Sequence, residues 1–181
     1  MLASSSPRRR VLLEELGFDF VIVEPVSDES FDHSDPKTRV IINAEAKARS
    51  VSNHFSGSLI IGADTVVYLD NCIFGKPVDS EDAKEMLEKL SGRNHQVYTG
   101  LAVLNTLTGE MQSRAACTEV IFNKLSREVI EAYVASGEPL DKAGAYGIQG
   151  YGGVFIAGIV GSYSNVVGLP LELLREMLQN L

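Results

Sequence analysis

Tryptophan is absent, and cysteine is scarce: Cys72 and Cys117 are the only thiols in 181 residues. They lie far apart, in neither a CxxC pair nor a Cys/His cluster, so neither a disulfide framework nor a zinc site organises this chain. Long apolar runs are missing too. The longest, Val154-Phe155-Ile156-Ala157-Gly158-Ile159-Val160, is far shorter than the roughly 20 residues that cross a bilayer. After Arg8-Arg9-Arg10, the carboxylates of Glu14 and Glu15 interrupt the place where a signal peptide would be uniformly apolar. The expected compartment is therefore the cytoplasm. Positive charge is also in deficit: 16 Lys and Arg against 24 Asp and Glu give a net charge of −8. A broad basic surface for nucleic acid is excluded on that count, and an anionic ligand must find a local basic pocket. The three histidines, His33, His54 and His95, are isolated and read as structural or surface residues. No serine has a GxSxG surround, which leaves nucleophilic catalysis unsupported.

What is present is enough apolar material, 45% of residues, to fill the core of one domain or of one fold with two lobes. Short strand patterns alternate with capped helical ones without repeats or linkers, an α/β or α+β organisation. Leu2-Ala3-Ser4 reads as a strand that runs into a helix opened by Pro7. Residues 18–24 read as a second strand, and Ser34-Asp35-Pro36 starts a helix through about Ser50. Residues 59–69 are the strongest strand signal, turned by Asp70-Asn71 into Cys72-Ile73-Phe74. Ser80 is the expected cap of a helix with Ala83, Met86, Leu87 and Leu90 on one face. Strands near residues 96–104 and 110–122 follow, then a helix over about 126–136. Five glycines between Gly144 and Gly153 predict a loop that lines something. Residues 155–160 are read as a late core strand, and 170–178 as a closing helix with Leu171, Leu174 and Leu178 inward.

Several stretches carry candidate chemistry. Ser4-Ser5-Ser6-Pro7-Arg8-Arg9 combines a helix start, hydroxyls and guanidinium forks, which suit phosphate oxygens; a Ser-capped helix with solvated arginines fits the same letters. Asp64 interrupts an apolar strand, where an unpaired charge would cost several kcal/mol. It must face a cation, a metal or water, or else end a strand bonded to backbone. Lys76, in Gly75-Lys76-Pro77, either returns to the same end of the sheet or is a solvated turn lysine, and the glycine spacing is not that of a Walker loop. Glu29 sits in an acidic loop and is either a second oxygen ligand for a divalent cation or simply solvated. Lys47 lies in an Ala-rich helical run, and Gln149 offers from its glycine loop an amide that both donates and accepts, as reading a base edge requires.

Leu2-Ala3-Ser4-Ser5-Ser6-Pro7-Arg8-Arg9, Ile61-Gly62-Ala63-Asp64-Thr65-Val66-Val67, Gly75-Lys76-Pro77, Leu90-Ser91-Gly92, Asp141-Lys142-Ala143-Gly144, Tyr146-Gly147-Ile148-Gln149-Gly150 and the tail from Gly161 to Leu171 together resemble the Maf family of nucleotide pyrophosphatases. The resemblance spans nearly the whole of residues 1–181. It implies an inosine triphosphatase-like fold with an elongated mixed sheet, two lobes and a central cleft, commonly as a homodimer. It also implies cleavage of a nucleoside triphosphate to the monophosphate and pyrophosphate with Mg²⁺ or Mn²⁺. Arg8, Thr65 and Gln149 match the branch acting on dTTP and UTP. On this resemblance Asp64 is the base and, with Glu29, a metal ligand. Ser4, Arg8, Arg9, Lys47 and Lys76 grip the triphosphate, Lys76 with a catalytic part in stabilising the leaving pyrophosphate. Two features depart from the pattern: almost nothing precedes the Ser/Arg motif, so a frayed or truncated first strand is expected, and Val26-Ser27-Asp28-Glu29 stands where a Val-Asp-Glu run is more usual. A nucleotide-sensing regulator of septum formation, binding without necessary hydrolysis, is the competing reading.

Overall fold

The computed structural model describes residues 1–27 and 34–179. In chain order its strands are β1 (Leu2–Ala3), β2 (Ile22–Val23), β3 (Leu59–Leu69), β4 (Cys72–Phe74), β5 (Asn94–Asn105), β6 (Met111–Phe122) and β7 (Ile156–Val160). The helices are α1 (Pro7–Glu14), α2 (Pro36–Ser52), α3 (Ser80–Leu90), α4 (Arg127–Ala135), α5 (Tyr163–Val167) and α6 (Leu171–Gln179). Three 3₁₀ turns between α4 and β7 hold the glycine-rich stretch. The sheet runs β2-β1-β3-β5-β6-β7, with β4 added to β3. β1 pairs in parallel with β2 and β3, and the remaining pairs are antiparallel, so the sheet is mixed.

Strand alternation sorts the side chains of β3 and β5 onto two faces. Ile60, Ala102 and Leu104 meet Ala44, Ala48 and Val51 of α2 on one face. The other face carries two separate cores. Ile61, Ala63, Leu101 and Val103 pack with α1, Val167, Leu169 and α6. Further along the same strands, Val67, Leu69 and Val97 pack with α3, α4, Phe122 and Phe155. Between these cores lies the rung Thr65↔Thr99, where the Oγ atoms are 2.9 Å apart. The outer edge of β3 is interrupted at the same level. It pairs with β1 at Ile61 and Gly62 and with β4 from Val67 onward, so among the described residues no strand pairs with residues 63–66 on that side. The two lobes and the cleft follow from this arrangement.

Four local readings require correction. The N-cap of α3 is Asp79, whose carboxylate accepts from the amides of Glu81 and Asp82 at 2.9 Å; Ser80 is already the first helical residue. Only Ile22 and Val23 of residues 18–24 pair as a strand. β7 is the sheet edge rather than a core strand, with Ala157 and Val160 exposed. The first strand is not frayed: Leu2 and Ala3 are fully buried between β2 and β3. The inward face of α6 is as expected: Leu174 is buried, Leu171 and Leu178 pack partly buried against the same core, and Met177 joins them.

Glycine at two strand positions sets the height of α2. A Cβ at Gly62 would lie 2.1 Å from the Ala44 carbonyl oxygen, and one at Gly100 2.2 Å from that of Val40. Both contacts are with backbone, which cannot swing aside. Replacing Gly62 by Ala is expected to lift α2 and to cost about 3 kcal/mol or more of unfolding free energy in urea titrations. A loss below about 1 kcal/mol would show that α2 does not depend on this contact.

Candidate active site

The interrupted edge of β3 opens into a cleft of about 330 Å³. Ser4, Arg8, Arg9 and Lys47 line it, as do Asp64, Thr65, Lys76 and Gln149, so every candidate from the sequence that falls within the described residues meets there. Glu29 lies outside the described residues. Among the described residues that line it are six cations, Arg8, Arg9, Arg39, Lys47, Lys76 and Lys142, and two carboxylates, Asp64 and Asp141, in a chain of net charge −8. The local basic pocket required of an acidic protein with an anionic ligand is thus present.

Asp64 sits on the α2 face of β3, buried, with its Oδ1 2.6 Å from Lys47 Nζ and its Oδ2 accepting from Asn43 Nδ2 at 3.0 Å. Asn43 and Lys47 are four residues apart and so share one face of α2, which the glycine floor brings down onto the strand. The charge stranded in an apolar strand has therefore found a cation. Each carboxylate oxygen keeps a further lone pair for water or metal.

The start of α1 supplies a second set of groups. Ser6 is the N-cap residue and makes no side-chain capping bond, and this helix start lies in the cleft lining, a place where anions are favoured. Arg8 Nη1 meets Asp141 Oδ2 at 2.8 Å. Arg9 is fixed more firmly: its Nε donates to the Gly168 carbonyl at 2.7 Å and its Nη2 to Thr65 Oγ1 at 3.0 Å, and its Nη1 lies 3.4 Å from Ser4 Oγ. Thr99 in turn donates to the Asn165 carbonyl. The tail segment from Ser162 to Gly168 thereby braces Arg9 and Thr65.

Lys76 is exposed and Gln149 half-buried, and among the described residues neither side chain has a partner. The loop bearing Lys76 is tied to the glycine-rich stretch by Gly144 N–H donating to the Gly75 carbonyl at 2.9 Å. Next to it Ala145, fully buried, takes a left-handed φ of 61°, a strained setting for a residue with a Cβ.

Sequence reasoning passed over Arg39, Asn43, Asp141 and Lys142. Asn43 stands four residues before Lys47, which is the available signal for it. Asp141 and Lys142 lie in a stretch used for the resemblance, but no role was attached to them. Asp141 joins both cations: Lys142 Nζ is 2.7 Å from its Oδ1. Partial burial works to raise the pKa of Asp141, yet Lys142 and Arg8 outweigh it and hold the carboxyl below the usual carboxylate range. No described group of three or more His, Cys, Asp or Glu converges as a ready metal site.

A family model described as Maf-like protein matches residues 1–181. A dTTP/UTP pyrophosphatase of Moorella thermoacetica is 51% identical over 179 residues, covering 98% of this chain and 92% of that protein. One from Clostridium botulinum is 47% identical over 186 residues, 100% and 96% of the two chains. One from Thermococcus onnurineus is 49% identical over 180 residues, 98% and 96%. No described helix is long and apolar enough to cross a membrane.

The wall of the cleft formed by Tyr146 is backed by His95, whose Nε2 lies 2.7 Å from the phenol oxygen. Burial pushes the His95 imidazole down to about 4 from 6.5, against a weaker opposing pull from the Arg93 backbone. Above about pH 6.5 the ring is neutral in both the folded and unfolded chain; as pH falls toward about 4 only the unfolded chain takes up the proton, so stability drains away across that window. The unfolding free energy of the parent should drop by about 2 kcal/mol more than that of His95→Gln between about pH 7 and pH 5. Parallel losses in the two proteins would mean that His95 titrates alike folded and unfolded.

Proposed function

Because the chain belongs to the Maf family, we propose that it is a nucleoside triphosphate pyrophosphatase, a single domain over residues 1–181, that hydrolyses dTTP and UTP to the monophosphate and pyrophosphate. The observation that carries this reading is the juxtaposition of a buried, lysine-paired carboxylate with six cations among the described residues around one cleft of an otherwise acidic protein. A nucleotide sensor would need the cations but not Asp64 among them. Homodimerisation and a cytoplasmic setting belong to the same reading.

Water attacks the α-phosphorus, the bond to the bridging oxygen breaks, and pyrophosphate leaves; positioning and charge neutralisation dominate such transfers. Asp64 orients that water and takes its proton through a lone pair that Lys47 and Asn43 leave open. Lys47 pairs with Asp64 at 2.6 Å and, with Asn43, holds that carboxylate in place beside the bound phosphates. Arg8, Arg39, Lys76 and Lys142 hold the triphosphate, with Lys76 placed to neutralise the leaving pyrophosphate. Arg9 acts with Ser4 at the N-terminal end of α1 as a pre-set donor array, its guanidinium already oriented by Gly168 and Thr65. A divalent cation fits this donor set: Asp64 is a hard oxygen ligand, and Mg²⁺ is commonly held by one or two carboxylates plus substrate phosphates rather than by a protein cage. Asp64 would hold Mg²⁺ or Mn²⁺, with Glu29 as the second carboxylate, and the ion would supply charge neutralisation and a more acidic water.

Gln149 reads the base. Uracil and thymine offer an acceptor, a ring N–H and a second acceptor, and a carboxamide meets an adjacent acceptor–donor pair with both of its groups. Thr65 supports this reading through Arg9 and Thr99 rather than through a free hydroxyl.

Two outcomes follow. In a pyrophosphate-release assay Asp64→Asn should lose about 10²- to 10⁴-fold in turnover while still binding nucleotide; activity within a few-fold of the parent would return Asp64 to a structural role. The parent should favour UTP over CTP in kcat/KM by roughly ten- to a hundred-fold, the equivalent of about 1 to 3 kcal/mol for a mispaired buried polar group. Gln149→Ala should erase that ratio, and an unchanged ratio would remove Gln149 as the selector.

A further inference from the structure

Gln149 has no side-chain partner of its own among the described residues, so where its amide stands is decided by the backbone of residues 147–153. That backbone is glycine-rich, and Gly150 adopts φ of 83°, a composition that does not hold a shape by itself. One carboxylate outside the loop takes two of its amides, and the Tyr133 phenol meets the Gly147 backbone. Glu138 Oε2 accepts from the Tyr151 amide at 3.1 Å, and Oε1 accepts from the Gly152 amide at 3.2 Å and from Tyr133 Oη at 3.0 Å. The fit is close: a Cβ at Gly150 would lie 2.9 Å from Glu138 Oε1, and one at Gly152 would lie 2.6 Å from Tyr133 Oη.

The other side of Glu138 is equally constrained. Its main-chain carbonyl accepts from Lys142 Nζ at 2.6 Å, and Lys142 lines the cleft. Tyr133 is buried in the core built by α3 and α4, so the chain of contacts runs from a packed helix, through a phenol and a carboxylate, to two loop amides. Partial burial works to raise the pKa of Glu138, but the two amides, the phenol and Lys142 outweigh it and keep the carboxyl below its usual range. The acceptor therefore stays ionised at neutral pH, the state that binds two amides and a hydroxyl best.

We propose that Glu138 is a positioning residue for nucleobase recognition, fixing the glycine loop so that Gln149 presents its amide to the base in one orientation. The proposal rests on Gln149 reading the base. Glu138 touches neither base nor phosphate, so its loss should relax discrimination while leaving the phosphate grip intact. A loop free to shift by a fraction of an ångström lets the amide re-aim, and the mispairing cost that rejects cytosine falls away.

The test compares kcat/KM for UTP and CTP, and the inhibition constant of inorganic pyrophosphate, in the parent, Glu138→Gln, Gln149→Ala, the double variant and Tyr133→Phe. Gln keeps the size of Glu138 but offers one acceptor oxygen instead of two. In Glu138→Gln the UTP:CTP ratio should fall roughly ten-fold toward that of Gln149→Ala, with pyrophosphate inhibition unchanged, and the double variant should match Gln149→Ala alone because both act through one group. Tyr133→Phe, which removes one of three donors and keeps the ring, should shift the ratio the same way by a smaller factor; it decides the question if Glu138→Gln does not fold. A folded Glu138→Gln with the parent's ratio overturns the proposal. So does a matching loss of pyrophosphate affinity, or a double variant whose losses multiply. Failure of the underlying reading is separate and visible in Gln149→Ala alone, as a ratio that does not move.

Discussion

A carboxylate placed in the middle of an apolar strand has to be paired, and the Lys47–Asp64 contact at 2.6 Å is how this chain satisfies that demand. Removing one partner of a buried pair costs about 3 to 5 kcal/mol, far more than a solvated ion pair. Much of the architecture serves that pairing. Lys47 and Asn43 reach Asp64 only because α2 rests directly on the sheet, and α2 rests there only because Gly62 and Gly100 present no side chain to the Ala44 and Val40 carbonyls. The ion pair, the glycine floor and the Ala-rich face of α2 are three views of one constraint.

The same strands that carry Asp64 also divide the opposite face of the sheet into two cores. β3 and β5 are long enough to serve both, and the rung between them, Thr65 and Thr99, carries hydroxyls where the neighbouring rungs carry apolar side chains. The polar side chains around that junction include both held and unengaged groups. Arg9 is held by the Gly168 carbonyl and Thr65, and Arg8 and Lys142 share Asp141, so these groups are oriented before any ligand arrives. Lys76 and Gln149, at the ends of loops tied down by Gly75 and Glu138, have no side-chain partner among the described residues. Preorganised donors beside unengaged ones suit a site that must bind a polyanion and still release its products.

How much of this was legible in the sequence depended on whether the signal was local. The helix with Ala83, Met86, Leu87 and Leu90 on one face, and the hairpin turned by Asp70-Asn71, announce themselves through spacing and turn chemistry. Asp64 was legible as an anomaly, because a charge in an apolar run needs a partner, but the identity of that partner was not: Lys47 is seventeen residues away and looks like any helical lysine. Asn43 and Arg39 were missed for the same reason, their function being set by which face of α2 meets the sheet. The cap of α3 was misplaced by one residue because Asp79 and Ser80 are both good caps, and only geometry chooses between them. Residues 155–160 read as core because apolar runs do not reveal whether a strand ends up central or at an edge. Glu138 carried no sequence signal at all, since its importance lies in two amides thirteen and fourteen residues further on.

The central claim is that the cleft directs water onto the α-phosphorus of a pyrimidine nucleoside triphosphate. The most direct measurement is a hydrolysis of UTP in water enriched in the heavy oxygen isotope, with the products separated and weighed by mass spectrometry. The label should appear in UMP, with pyrophosphate released unlabelled. Label in pyrophosphate with none in UMP would place the attack on the β-phosphorus, and release of orthophosphate and UDP would place it on the γ-phosphorus; either result would contradict the arrangement of base and cations described for this cleft.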